Sequence, residues 1–163
     1  MKRILTKGLL LGSIVSVAIA CNDKKAEPET TAVAIDKEQI KKEIQAKEDS
    51  FASIYNSGAL KNIGYYADDA ITFLQNRPPI VGKDSIVNFL KNDVMQSTDR
   101  ISFKTNEVYV SNDANMVVEI GSFMVVDSLN LPINTGNYMS LFEKRNGRYV
   151  AVRDMSASNV PLK

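Results

Sequence analysis

Histidine and tryptophan are absent from the 163 residues, and Cys21 is the single cysteine. Without histidine there is no Ser-His-Asp or Cys-His catalysis, no imidazole metal ligand and no imidazole switch near neutral pH. One cysteine leaves no internal disulfide and no thiolate zinc site. Charge of one sign is also lacking. The 20 Lys and Arg stand against 19 Asp and Glu, a formal net charge of +1, so no bulk basic field exists to attract nucleic acid. No metal, no cofactor and no nucleic-acid partner is expected. What remains is a length that suits one domain of roughly 100–150 residues with a further segment attached.

That segment lies at the start. Lys2, Arg3 and Lys7 are followed by an uncharged apolar run from Gly8 to Ala20, and Cys21 comes directly after it. Thirteen apolar residues fall short of the roughly 17–25 a membrane span needs, and the basic-then-apolar order is that of a secretory signal. The stretch Ala18-Ile19-Ala20-Cys21 resembles the lipobox of bacterial lipoproteins, with Ala18 standing where Leu is usual. That resemblance implies cleavage before Cys21, acylation of its thiol and new amine, and an anchor made effectively permanent by its buried methylenes, at about 0.8 kcal/mol each. A buried free cysteine after a plain signal is the alternative. The location implied is the bacterial cell envelope, with the outer membrane or cell surface favoured over the inner membrane. Loss of residues 1–20 removes three basic side chains, leaving 17 against 19 and a mildly acidic remainder. Residues 21–35 read as the lipidated cysteine and a flexible tether, because Asn22–Ala34 holds too little bulky apolar surface to offset the entropy of ordering.

From residue 36 to 163 the composition is that of a compact domain. Asp36 with Gln39 forms a capping-box pattern, and Ile40, Ile44, Phe51, Ile54 and Tyr55 recur at helical spacing until Gly58. Leu60, Ile63 and Tyr66 suggest a short second helix. Asp68-Asp69 would then turn the chain into a strand at Ala70–Leu74. Pro78-Pro79 interrupts, Ile80-Val81 is a brief edge segment, and Ile86, Val87, Phe89, Leu90 and Val94 stripe a third helix. Four strands follow, at 101–110, 116–127, 135–144 and 149–156. The last two are joined through Asn146-Gly147, the preferred pair for a tight hairpin. Gly121, in mid-strand, is a natural place for a bulge or bend.

The segments Tyr55-Asn56-Ser57-Gly58-Ala59-Leu60, Tyr66-Ala67-Asp68-Asp69-Ala70 and Pro79-Ile80-Val81-Gly82-Lys83 resemble SnoaL-like domains of the nuclear transport factor 2-like, ketosteroid isomerase-like superfamily. So does the terminal hairpin Phe142–Tyr149. The fold implied is α+β, a cone-shaped, curled antiparallel sheet packed on three N-terminal helices. The same resemblance argues against steroid isomerisation. Aligned on these motifs, the oxyanion-hole tyrosine of those enzymes falls on Phe51, their general-base aspartate on Leu74, and their second oxyanion donor near Ser140. Losing both base and donor would remove most of the rate enhancement.

Other carboxylates are candidates for acid/base work. Asp68-Asp69 reads as structural at a junction. Glu119 sits in an apolar strand and would have a raised pKa if buried. The favoured pattern has Val117, Glu119, Gly121, Phe123 and Val125 facing outward, with Glu119 solvated or paired across the interface of a homodimer. Asp154 lies near the expected mouth of the cone, where a salt bridge is as good an account as a substrate contact. Tyr55, Phe73, Phe89, Tyr138 and Ser140 are the candidate pocket residues, among aromatic side chains that otherwise read as core.

Three functions follow as expectations. One is a non-catalytic, envelope-tethered binding domain for a small apolar molecule or a protein. Another is a SnoaL-like isomerase, cyclase or lyase using Glu119 or Asp154 without histidine. The last is an interaction protein working through its sheet face. An enclosed pocket with a desolvated carboxylate favours the enzyme; a fully packed cone sinks both small-molecule readings.

Overall fold

The computed structural model describes residues 35–161; the expected export signal, Cys21 and the expected tether up to Ala34 lie outside the described residues. Helix α1 (Lys37–Asn56) begins where the Asp36 carboxylate accepts the Gln39 N–H at 2.9 Å. Its buried stripe is Ile44, Glu48, Phe51 and Ala52. Strand β1 (Tyr66–Phe73), the short β2 (Ile80–Val81) and helix α2 (Lys83–Gln96) come next. Then β3 (Arg100–Val110), β4 (Met116–Val126), β5 (Pro132–Arg145) and β6 (Arg148–Ser158) form an antiparallel meander. The six strands make one sheet in the order β2-β1-β6-β5-β4-β3.

Helix α1 lies along β3, an edge strand whose outer backbone groups would otherwise lack partners. Two amide side chains supply them. Gln45 accepts the Thr105 N–H at 2.7 Å and donates to the Phe103 carbonyl at 3.2 Å, while Asn56 accepts from and donates to Ile101, both at 2.9 Å. The β5–β6 hairpin turns at Asn146 (φ 52) and Gly147 (φ 77), the positive pair that this tight turn demands.

Several expectations need correction. The second helix is only a 3-10 turn at Leu60–Asn62. Tyr66 opens β1, which pairs parallel with β6, so the sheet is mixed and rests on two helices. Asp68 and Asp69 lie within β1 as exposed residues and form surface ion pairs with Lys83 and Arg145. The register shift falls in β3 between Thr105 and Glu107, opposite Gly121. Strand β4 has the opposite phase to that expected: Val117, Glu119 and Gly121 are buried, and Phe123 and Val125 line the cone. The outer face carries Val118, Ile120 and Met124, joined by Met139 and Phe73 from neighbouring strands.

Gly121 and Gly136 each receive an aromatic ring from the partner strand. Gly121 pairs with Tyr138 and Gly136 with Phe123, and a Cβ on either glycine would overlap that ring. The two rings therefore lie flat across the sheet and form one wall of the interior.

Candidate functional site

Between the concave sheet, α1 and α2 lies a cavity of about 270 Å3. Its walls are aromatic and aliphatic: Phe51, Phe89, Leu90, Phe103, Phe123 and Val125. Phe51 sits among rings at centroid distances of 4.9 Å to Tyr65 and 5.6 Å to Phe103, tilted or edge-on, which is the preferred aromatic geometry. Three carboxyls stand in or behind these walls, each delivered by a different element.

Helix α1 delivers Glu48, 1% exposed, at position i+4 from Ile44 and three residues before Phe51. Tyr65 donates to Glu48 Oε1 at 2.5 Å and lies 3.3 Å from Ser140 Oγ. Burial, reinforced by the charge of Glu119, pushes the Glu48 carboxyl up to about 9, so it is a neutral acid at pH 7. The Glu48 and Glu119 carboxyls stand close enough for each to shift the ionisation of the other.

Strand β4 delivers Glu119, fully buried behind the wall. Its Oε1 accepts from Thr105 at 2.5 Å and Tyr138 at 2.8 Å. Burial raises this carboxyl as well, against the pull of the hydroxyls and of Glu48. Its Oε2 has no hydrogen-bond partner, and a protonated Glu48 is a donor of the right kind for it.

Strand β6 delivers Asp154, whose register partner is Thr72 of β1. Burial pushes it up to about 6, while the Thr72 and Tyr66 hydroxyls beside it pull down. The Tyr66 hydroxyl reaches Oδ2 at a long 3.4 Å, and the enclosed Oδ1 has no partner. Burial keeps Tyr65 and Tyr66 protonated far above neutrality, so both act as donors.

At the opening, Tyr55 of α1 donates to Asp93 of α2.

Of the residues expected from sequence, Tyr55, Phe89, Tyr138, Ser140 and Asp154 line this cavity, as does Leu74. Glu119 stands one layer behind it. Phe73 does not line it. Strand alternation gives Thr72 and Leu74 to the interior and leaves Phe73 41% exposed on the outer face. Arg153 also points away from Asp154, donating to the Asp69 carbonyl at 3.3 Å. Glu48 and Tyr65 were not anticipated. The signal for Glu48 was its place in the middle of the apolar stripe of α1, where a carboxylate has no route to water. Among the described residues no group of three or more acidic or cysteine side chains is arranged to hold a metal ion.

No protein-family model and no curated protein matches the sequence. Solved structures do match. A ketosteroid isomerase-like protein from Erwinia carotovora atroseptica is 17% identical with TM-score 0.59, over 74% of this chain and 96% of that one. A nuclear transport factor 2-like protein with a cystatin-like fold from Novosphingobium aromaticivorans is 12% identical with TM-score 0.64, over 73% and 81%. A nuclear transport factor 2-like protein of unknown function from Shewanella oneidensis is 21% identical with TM-score 0.58, over 75% and 98%. The chain therefore has the nuclear transport factor 2-like fold.

Proposed function

We propose that this nuclear transport factor 2-like cone binds a small, mainly apolar molecule and reads one polar group on it with Asp154, on a chain held at the bacterial envelope through a lipid on Cys21. The observation that carries the reading is a cavity of about 270 Å3 with aromatic walls and an enclosed carboxyl oxygen that nothing in the protein satisfies. A packed core would have closed this space, and a buried polar atom without a partner costs about 1–3 kcal/mol unless a ligand or water supplies one. Native mass spectrometry of the chain purified from its own host should reveal a co-purified small molecule. That molecule should be lost when Val125→Trp fills the opening. Protein that carries no such mass in either form would refute the reading.

Catalysis is a second reading, favoured by the pairing of Asp154 near pKa 6 with a neutral Glu48 and the Tyr65 and Tyr66 donors beside one cavity. A base poised near neutrality opposite proton donors is what proton transfer needs. Asp154→Asn should then leave the molecule bound but unconverted. The anchor is supported by Lys2, Arg3, Lys7, the run 8–20 and Cys21. Palmitate labelling should vanish in Cys21→Ser. A homodimer, if formed, would use the outer sheet face with Met124, Met139 and Phe73, since Val117, Phe123 and Val125 face inward.

A further inference from the structure

The acidic side chains that line the cavity are Glu48, Asp93 and Asp154, and among the described residues no lysine or arginine lines it. The basic groups nearest these elements are engaged elsewhere. Arg153 bonds the Asp69 and Val152 carbonyls, Arg145 grips Asp69 and Glu143, Lys83 faces Asp68, and Arg77 lies over the Phe89 ring at 4.7 Å. A buried carboxylate without a counter-charge is costly, and proteins relieve it by pairing with a cation or by protonation. Glu48 is relieved by keeping its proton. Asp154 is raised less and is the carboxyl that still ionises near neutral pH, with one long contact from Tyr66, the Thr72 hydroxyl beside it and one oxygen without a hydrogen-bond partner.

Asp154 lines the cavity, so a ligand held there stands beside its carboxylate. An anionic ligand would meet like charges there, and a neutral alcohol would satisfy the oxygen but leave its charge uncompensated. A cation answers both needs. The Phe51, Tyr66, Phe103 and Tyr138 rings would also attract a positive charge and shelter the frame that bears it. Asp93 at the opening adds attraction on approach. The volume is below the roughly 300–1,000 Å3 of drug-sized sites, so the ligand is the size of a single-ring molecule.

We infer that the cavity takes an organic cation, a protonated amine on a small apolar or aromatic frame, with its ammonium hydrogens donated to the Asp154 carboxylate. This rests on the proposed small-molecule reading and names the ligand class for it. The groups facing the site leave Asp154 as its titrating element. Glu48 from α1 stays neutral to about pH 9, Tyr65, Tyr66 from β1 and Tyr138 from β5 stay protonated, and Glu119 from β4 lies behind the wall. Asp93 from α2 lies at the opening.

The test is calorimetric titration of the purified full chain with 2-phenylethylamine, 2-phenylethanol and phenylacetate, which share a frame and differ in charge. The amine should bind at least about tenfold more tightly than the alcohol, and the acid should not bind. Amine affinity should weaken as pH falls through about 6, where Asp154 gains its proton. Asp154→Asn should bring the amine down to the level of the alcohol. If that variant fails to fold, the pH series on the unmodified chain carries the same test. Equal or better binding of the alcohol or the acid, or a preference for amine that survives in Asp154→Asn, would overturn the cation inference and leave the pocket reading standing. Binding of none of the three would overturn it too, and co-purification, which needs no added probe, would then decide whether the pocket reading falls with it.

Discussion

Two groups of buried carboxyls share the inside of one cone, and they are accommodated in different ways. Glu48 and Glu119 form a closed set: Thr105, Tyr138 and Tyr65 donate to them at 2.5–2.8 Å, and the two carboxyls bear on each other's ionisation. Asp154, on the next strand but one, is left more open, with a long 3.4 Å hydrogen bond from Tyr66, the Thr72 hydroxyl beside it and an oxygen without a hydrogen-bond partner. A saturated polar cluster holds the framework together, whereas an unsaturated one waits for something to complete it. The comparison separates the part of this interior that serves the fold from the part available to a ligand.

Breaking the closed set should have the largest effect. Glu119→Ala removes the acceptor of two hydroxyls and of the Glu48 proton, all in a dry layer. Its cost should be about 3–5 kcal/mol in urea unfolding, from two buried hydroxyls left without an acceptor and the void left by the side chain. A loss under about 1 kcal/mol would show that the cluster contributes little to the fold.

The open carboxyl should reveal itself through pH. Asp154 has its pKa raised from 3.8 to about 6, so the folded state holds this proton more tightly than the unfolded chain. The stabilisation is complete below 3.8 and is lost as pH rises through 6. Asp154→Asn has no such group to ionise. Relative to the unmodified chain it should gain about 3 kcal/mol between acid and neutral pH. Parallel stability profiles would remove Asp154 from this role.

How much of this was legible from sequence follows from the same residues. Asp36, Gly58 and Asn146-Gly147 carry local chemistry that fixes a cap, a helix end and a hairpin, and each is found where the residues point. Strand phase was harder. From Met116 to Val126 both alternating sets are rich in apolar side chains, so the pattern could not say whether Glu119 faced in or out. What decided it was tertiary: Thr105 on β3 and Tyr138 on β5 offer hydroxyls to an inward carboxylate. Phe73 and Leu74 show the same ambiguity, since adjacent strand residues must take opposite faces and both are apolar. The spacing Leu60, Ile63, Tyr66 fits a 3-10 turn as well as a helix, and only pairing with β6 draws Tyr66 into the sheet. Glu48 was hidden because an acidic residue in a charged helix normally faces water.

Glu48 also provides the finest test of the comparison, because the smallest effect is expected there. With its carboxyl held near pKa 9, Glu48 is neutral at pH 7, and glutamine has nearly its shape, an acceptor for Tyr65 and a donor for Glu119. Glu48→Gln should therefore change stability by less than about 1 kcal/mol near pH 4.5, while Glu119→Ala, in the same cluster, costs several times more. As pH rises from 4.5 to 9 the unfolded chain releases the Glu48 proton and the folded chain keeps it, so the unmodified protein loses stability across that window, whereas the glutamine variant has no proton to lose. Unfolding of both proteins from pH 4.5 to 9 measures it. A glutamine variant that is as damaged near pH 4.5 as Glu119→Ala, or whose stability profile runs parallel to that of the unmodified chain, would mean that Glu48 does not hold its proton in the folded chain, and the distinction between a closed and an open set of carboxyls would then have to be abandoned.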